Sequence, residues 1–312
     1  MKINNTINSI ATFYKNMSNC GKILFFLALF LILIVFFKSL QMPKREGFQQ
    51  QDTFLFKKGT DIYDDFYSEI YDFLVFNSVK NNYEIGQIIN TTAPSNRSKI
   101  LDVGSGTGHH VAQLAENSFD VTGMDISPSM VNKAKENFPQ YNFKLGDALH
   151  NGTFNSNTFT HIICMYFTIY YFQDKRVFFN NAMNWLVPGG YLIVHIVDRE
   201  KFDPILPPGN PLYVVSPQKY AKERITKTKV KFNEFEYSSN FNLNKEQNMA
   251  IFDEKFKFND GKVRKQEHKF YMEDKDVILN QATESGFIIK GKINLVSCAY
   301  ENQYLYVLVK PE

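Results

Sequence analysis

Residues 101–110 read LDVGSGTGHH, with three glycines at alternate positions, Gly104, Gly106 and Gly108, two residues after a carboxylate, Asp102. The apolar run KILDV precedes them and the amphipathic HHVAQLAEN follows. This pattern predicts a strand, a glycine turn and a helix. Such a turn presents bare backbone N–H groups at a helix amino end, where a ligand can come close. In the dinucleotide fingerprint G-x-G-x-x-G the third glycine would fall at position 109, which is His109. Asp102 would repel a pyrophosphate and would attract an ammonium group. The turn therefore suits a ligand with a cationic head better than a diphosphate, and a dehydrogenase reading is disfavoured.

The neighbouring segments extend the strand–helix alternation. VTGMDIS (121–127) ends a second strand on Asp125 and Ile126, and Ser127-Pro128 predicts a capped helix start. NFKLGDA (142–148) ends a third strand on Asp147 and Ala148. A carboxylate such as Asp125 can accept hydrogen bonds from both hydroxyls of a ribose, and Asp147 can accept from an exocyclic amine. FTHIICMYF (159–167), a helix from Asp174 to Trp185 and the strand YLIVHIV (191–197) follow. The repetition predicts a doubly wound parallel sheet whose strand-end carboxylates share one edge, where open α/β sheets bind ligands. Upstream, DIYDDFYSEIYDFLVFNSV has aromatic and apolar residues at helical spacing, and a second short helix is expected near 83–91.

Beyond residue 203 the pattern changes. Residues 203–218 are Pro-rich, and 228–272 read as antiparallel strands, with Asn259-Asp260-Gly261 as a hairpin turn. A helix from Asp274 to Gly286 and two last strands complete the chain.

Taken in order, LDVGSGTG, VTGMDIS, FKLGDAL, FTHIICMYFTIYYF and LVPGGYLIVHIV resemble the class I S-adenosylmethionine-dependent methyltransferases of small-molecule type, over residues 60 to about 200. The resemblance implies an α/β, Rossmann-like, doubly wound seven-stranded sheet with the last strand antiparallel. An antiparallel β insertion after strand five would cap the site. It implies S-adenosyl-L-methionine as cofactor. Gly104, Gly106 and Gly108 would let the backbone approach its methionine part and ribose. Asp102 would sit near the amino group, with the Met165 carbonyl beside it. Asp125 and Ile126 would hold the ribose, and Asp147 and Ala148 would read adenine. Tyr63 and Tyr67 match the aromatic segment that closes over the cofactor, or they are helix core. Candidate bases or acceptor-site residues are His195, His268 and Tyr170, with Tyr166 and Tyr171 nearby; each could equally be packing. His109 and His110 read as a first helical turn, and no metal site is expected.

Residues 23–37 are unbroken apolar between Lys22 and Lys38, about 22 Å of helix. With snorkelling lysines this predicts a single-pass membrane anchor, and the nearby basic residues favour a cytosolic carboxyl domain. The expected organisation is a tail (1–22), a transmembrane helix (23–38), a linker (39–58) and a methyltransferase domain (59–312) with a cap at 203–272. The KREGF that follows the anchor and the Asn/Lys/Phe-rich composition resemble membrane proteins of large DNA viruses. The 35 basic against 32 acidic residues give no reason to expect a nucleic-acid partner, and three scattered cysteines form no disulfide framework. CMYF after strand four lacks the Pro-Pro-aromatic signature of adenine amino methyltransferases, and no Pro-Cys pair serves as a cytosine nucleophile. The expected partners are thus a small-molecule or lipid-like acceptor and the membrane. The alternatives are a non-catalytic scaffold on the same fold and a methyltransferase acting on a protein.

Overall fold

The structure, a computed structural model, describes residues 54–209 and 216–312, with residues 18, 21, 22, 25, 27, 30 and 33. The anchor expected at 23–38 falls largely outside them. Phe25, Leu27, Phe30 and Leu33 are helical, and among the described residues no helix is long and apolar enough to cross a membrane. The chain divides into two compact units, residues 1–49 and 50–312. The second carries all that follows.

In that unit a seven-stranded sheet has the order β11-β12-β6-β5-β2-β3-β4. Its strands are β2 (Lys99–Val103), β3 (Asp120–Asp125), β4 (Asn142–Leu145), β5 (Phe159–Cys164), β6 (Leu186–Val197), β11 (Ile288–Asn294) and β12 (Gln303–Val309). β12 runs antiparallel between β6 and β11, and β2 to β6 are parallel. Ile162, Ile163, Leu192, Ile193 and Val194 have no exposed surface. Near-continuous apolar strands of this kind are what a sheet covered on both faces requires. The chain leaves the sheet edge at β4 and re-enters beside β2 as β5. This creates the topological switch point at which such sheets open a ligand crevice.

The covering helices start where polar caps dictate. α1 (Asp65–Leu74) is capped by Asp64, α2 (Ser78–Thr92) by Asn77, α4 (Pro128–Asn137) by Ser127, α6 (Lys175–Trp185) by Asp174 and α7 (Lys275–Glu284) by Asp274. α3 (His109–Glu116) follows the glycine turn directly, and α5 (Thr168–Tyr171) is one turn after β5. α2 is longer than the helix expected near 83–91.

A second sheet has the order β1-β10-β9-β8-β7, with β1 (Phe54–Lys58), β7 (Lys227–Lys231), β8 (Phe235–Asn244), β9 (Met249–Phe258) and β10 (Val263–Tyr271). Here the expected boundary changes. Residues 54–58 are not linker: they pair parallel to β10, which lies about 200 residues away in sequence. Only that tertiary partner makes FLFKK a strand. The inward face of this sheet carries Phe235, Tyr237, Phe241, Phe252, Phe256 and Phe270. These join one core with Ile62, Phe66, Tyr67 and Ile70 and with one face of the large sheet. A separate cluster, including Ile85, Val111, Val121 and Leu305, fills the opposite face.

Candidate active site

The carboxyl ends of β2, β3 and β4 line a cavity of about 640 Å³. That lies within the roughly 300–1,000 Å³ of cofactor and ligand clefts. Gly104, Gly106, Asp125, Ile126, Asp147 and Ala148 border it, and Tyr63 and Tyr71 close it from the other side. Gly104 and Gly106 have φ of +72° and +53°, a left-handed conformation open to glycine at little cost. A Cβ on Gly104 would stand 2.5 Å from Thr168 Oγ1. Gly106 donates its N–H to Asp125 Oδ2 at 2.9 Å, and Ser127 donates to Oδ1 at 2.9 Å. Each Asp125 oxygen keeps a lone pair for a further donor. Burial raises the Asp125 pKa, and the backbone N–H groups of Ser127, Gly106 and Ile126 oppose that rise. Asp147 Oδ1 accepts from the Leu149 amide at 2.8 Å, which turns the chain around the cavity.

Gly108 does something else. Its missing Cβ would meet Phe143 at 2.7 Å and Ala134 at 3.2 Å. This glycine lets α3 pack against the sheet and α4; it does not border the cavity. Asp102 lies beneath the loop, 1 % exposed. Neither of its oxygens has a hydrogen-bond partner among the described residues. Burial raises its pKa to about 6. A buried, unpaired carboxylate is costly unless a cation or donor reaches it. Met165 is buried, and its carbonyl accepts from the Thr168 amide at 3.3 Å.

A second cavity, of about 100 Å³, lies beneath the five-stranded sheet. It shares Tyr63, Tyr71, Gly104, Thr168 and Tyr171 with the first. Its other walls include Tyr67, Tyr166, Phe167, Phe252, His268 and Phe270. Tyr67, expected at the cofactor, borders only this chamber. The Tyr63 hydroxyl donates to Tyr171 at 2.6 Å, and the Tyr171 hydroxyl lies 2.6 Å from His268 Nδ1. His268 Nε2 lies 2.6 Å from Glu254 Oε2, and Tyr237 and Gln266 donate to the same carboxylate at 2.5 Å each. Burial raises the Glu254 pKa, but His268, Tyr237 and Gln266 outweigh it and leave the group below its usual value. The charged form is thus the favoured one. Arg264 ties this sheet to the start of α1, donating to Asp64 Oδ2 at 2.8 Å and to the Ile62 carbonyl at 2.9 Å.

The other two candidates for catalysis are placed elsewhere. His195 has no exposed surface and borders neither cavity. Its Nδ1 lies 2.5 Å from the Tyr166 carbonyl and its Nε2 lies 3.0 Å from the Gln303 side chain. Burial, with Lys80 nearby, lowers its pKa to about 4. It holds Tyr166 in its left-handed conformation, φ +51°. The Tyr170 hydroxyl accepts the Val197 amide at 2.9 Å, and Tyr170 borders neither cavity. Both are fixtures of the fold. His109 and His110 pair with Asp72 and Glu84, and among the described residues no group of three His, Cys, Asp or Glu is placed to hold a metal ion.

Glu254 was missed in the sequence reading, although a signal was present. In AIFDEKFKF, period-two alternation sets Glu254 on the same face as Phe252 and Phe256. An acid on an apolar face needs a partner.

The arrangement fits S-adenosylmethionine. A carboxylate with room for two hydroxyl donors and a glycine ledge open to close approach answer its ribose and its chain, while Asp102, expected at the ammonium group, borders neither cavity. Residues 100–190 match the family model described as a methyltransferase domain. Over 101 residues the chain is 35% identical to phosphoethanolamine N-methyltransferase 3 of Arabidopsis thaliana, covering 31% of this chain and 20% of that protein. Over 104 residues it is 34% identical to demethylmenaquinone methyltransferase of Chlorobaculum tepidum, covering 32% of this chain and 42% of that one. The chain thus spans less than half the length of these curated relatives. The fold of the CcbJ methyltransferase from Streptomyces caelestis superposes with a TM-score of 0.61 at 14% identity, over 81% of this chain and 100% of that one. Residues 100–190 are thus similar to a methyltransferase domain, and their glycine loop and strand-end carboxylates fit S-adenosylmethionine.

Proposed function

We propose that this chain is an S-adenosylmethionine-dependent methyltransferase acting on the nitrogen or oxygen of a small or lipid-like acceptor. The observation that carries this reading is the junction of the two cavities. The ledge for the cofactor and an aromatic chamber that reaches His268 share a wall of Tyr63, Tyr71, Gly104, Thr168 and Tyr171. The cofactor, when bound, supplies a methyl carbon already activated by its sulfonium charge. The chain's own residues align the acceptor, exclude water and accept its proton. Tyrosine faces around the chamber suit an amine or an apolar body. The proton leaves the acceptor's N–H or O–H at the Tyr63 hydroxyl. Tyr63 passes its own proton to Tyr171, and Tyr171 passes its own to His268 Nδ1. The resulting imidazolium is held by the Glu254 carboxylate. The named substrates of the two relatives above are small molecules, which supports a small acceptor.

The apolar run 23–37 supports tethering of this activity to a membrane, with the basic residues Lys38, Lys44 and Arg45 favouring a cytosolic domain. The competing reading is a tethered scaffold without turnover.

The first test is calorimetric titration of the detergent-solubilised chain with S-adenosylhomocysteine, beside Asp125→Ala. Micromolar binding that the variant loses is the expected result. No binding by the folded wild-type chain overturns the enzyme reading. Methyl release with a panel of phosphoethanolamine, amino sugars and quinols then separates enzyme from scaffold.

A further inference from the structure

We propose that the outward face of the five-stranded sheet docks on an anionic lipid surface. The outward positions of its strands carry eight lysines against three acids, Glu236, Asp253 and Glu267. The whole chain has a basic excess of only three. The charge of this face is therefore local and is offset elsewhere.

Two features set it apart from an ordinary solvated face. Lys255 and Lys265 lie directly opposite each other on β9 and β10. Like charges in that position destabilise a sheet. Neither they nor Lys257 and Lys269 have an ion-pair partner among the described residues. Lysines are common on edge strands, where they block unwanted pairing. β9 and β10 are interior strands, so edge protection does not account for these four. A face that meets anions does.

The second feature is apolar. Phe54 and Phe56 are 54% and 49% exposed on β1, on the same face and at its rim. Phe56 pairs with Lys265, and the Lys265 ammonium lies 5.6 Å from the Phe54 ring centre. Five strands make a field about 19 Å wide. A two-dimensional basic field bordered by aromatic rings matches a bilayer interface, where lysines meet headgroups and rings enter the acyl boundary. A nucleic-acid strand calls for a track. In sequence, Phe54 follows the apolar run 23–37 by seventeen residues. Glu267, Lys269 and Tyr271 belong to this face and also border the larger cavity. Docking brings the mouth of that cavity to the lipid.

This inference stands apart from the cofactor reading, and its test needs no acceptor. The chain has a single tryptophan, Trp185, which is fully buried. Phe56→Trp therefore adds an exposed reporter to the full chain. The chain is reconstituted with brominated phosphatidylcholine vesicles, with and without phosphatidylserine. The expected result is a blue shift and quenching that require phosphatidylserine and reverse at high salt. Adding Lys255→Gln, Lys257→Gln and Lys265→Gln weakens the serine-dependent part by roughly a hundredfold. Circular dichroism and S-adenosylhomocysteine binding check that the variants fold and keep the cofactor site. Quenching that is equal in both vesicles, or absent from both, overturns the proposal. So does protection of Lys255 and Lys265 from acetylation by an RNA oligonucleotide and not by the anionic vesicles.

Discussion

His268 Nε2 stands 2.6 Å from Glu254 Oε2, a contact between neighbouring strands with both side chains 3 % exposed or less. The pair sits under the cap at the end of the hydroxyl chain from Tyr63. If it receives the acceptor's proton, Glu254→Gln removes the charge that stabilises the imidazolium and keeps the shape. Turnover is expected to fall by roughly 10²–10³-fold. Affinity for S-adenosylhomocysteine should stay within a factor of about two. The acidic limb of the pH–rate profile should move to lower pH, because the imidazolium loses its counter-charge. A drop in cofactor affinity equal to the drop in rate would assign the pair to structure alone.

Asp102 makes the stability of the cofactor-free protein depend on pH. Burial raises its pKa from 3.8 to about 6. A group raised on folding binds its proton more tightly in the folded state, so its contribution is full below 3.8 and is lost as pH rises through about 6. About two pKa units correspond to about 3 kcal/mol. Asp102→Asn should remove this component, so that the variant gains on the wild type as the pH is raised from 4 to 7 in urea unfolding. Parallel unfolding curves for the two proteins would show that Asp102 is not the titrating group.

Gly104→Ala tests the ledge. The residue sits at φ +72°, and its Cβ would stand 2.5 Å from Thr168 Oγ1 and 2.6 Å from Cγ2. Left-handed strain and overpacking together should cost about 2–4 kcal/mol. Thr168→Ala in the same chain removes the two closest atoms and should restore part of that loss. Denaturant midpoints of the single and double variants measure it, and independent, additive effects would contradict the contact.

Lys175 fastens the cap to the large sheet. Its side chain has no exposed surface, and Nζ donates to the Phe172 carbonyl at 3.1 Å, the Tyr271 carbonyl at 2.7 Å and Glu273 at 2.6 Å. Burial lowers its pKa while Glu273 opposes the fall. Lys175→Met keeps the stem and strands these acceptors, so a loss of about 3 kcal/mol is expected. Proteolysis should then open the segment around Tyr271 first. A variant as stable as the wild type would mean that water replaces the ammonium group freely.

While the antiparallel last strand followed only from the family resemblance, the sequence alone determined the run of parallel strands, the glycine ledge and the acids at the strand ends. These are local: apolar runs, capping residues such as Ser127 and Asp174, and turn glycines carry their information within a few residues. Tertiary structure decided which side chains meet. His195 and His268 look alike in the sequence. One lies inside the large sheet between the Tyr166 carbonyl and Gln303, and the other faces a chamber beside Glu254. Gly108 belongs to the same motif as Gly104, yet Phe143 from another strand fills the space beside it. The segment FLFKK carries no strand signal of its own, and it pairs with β10 because residues far along the chain offer an open edge. Distances between segments so far apart are set by packing, and packing leaves no period in the sequence.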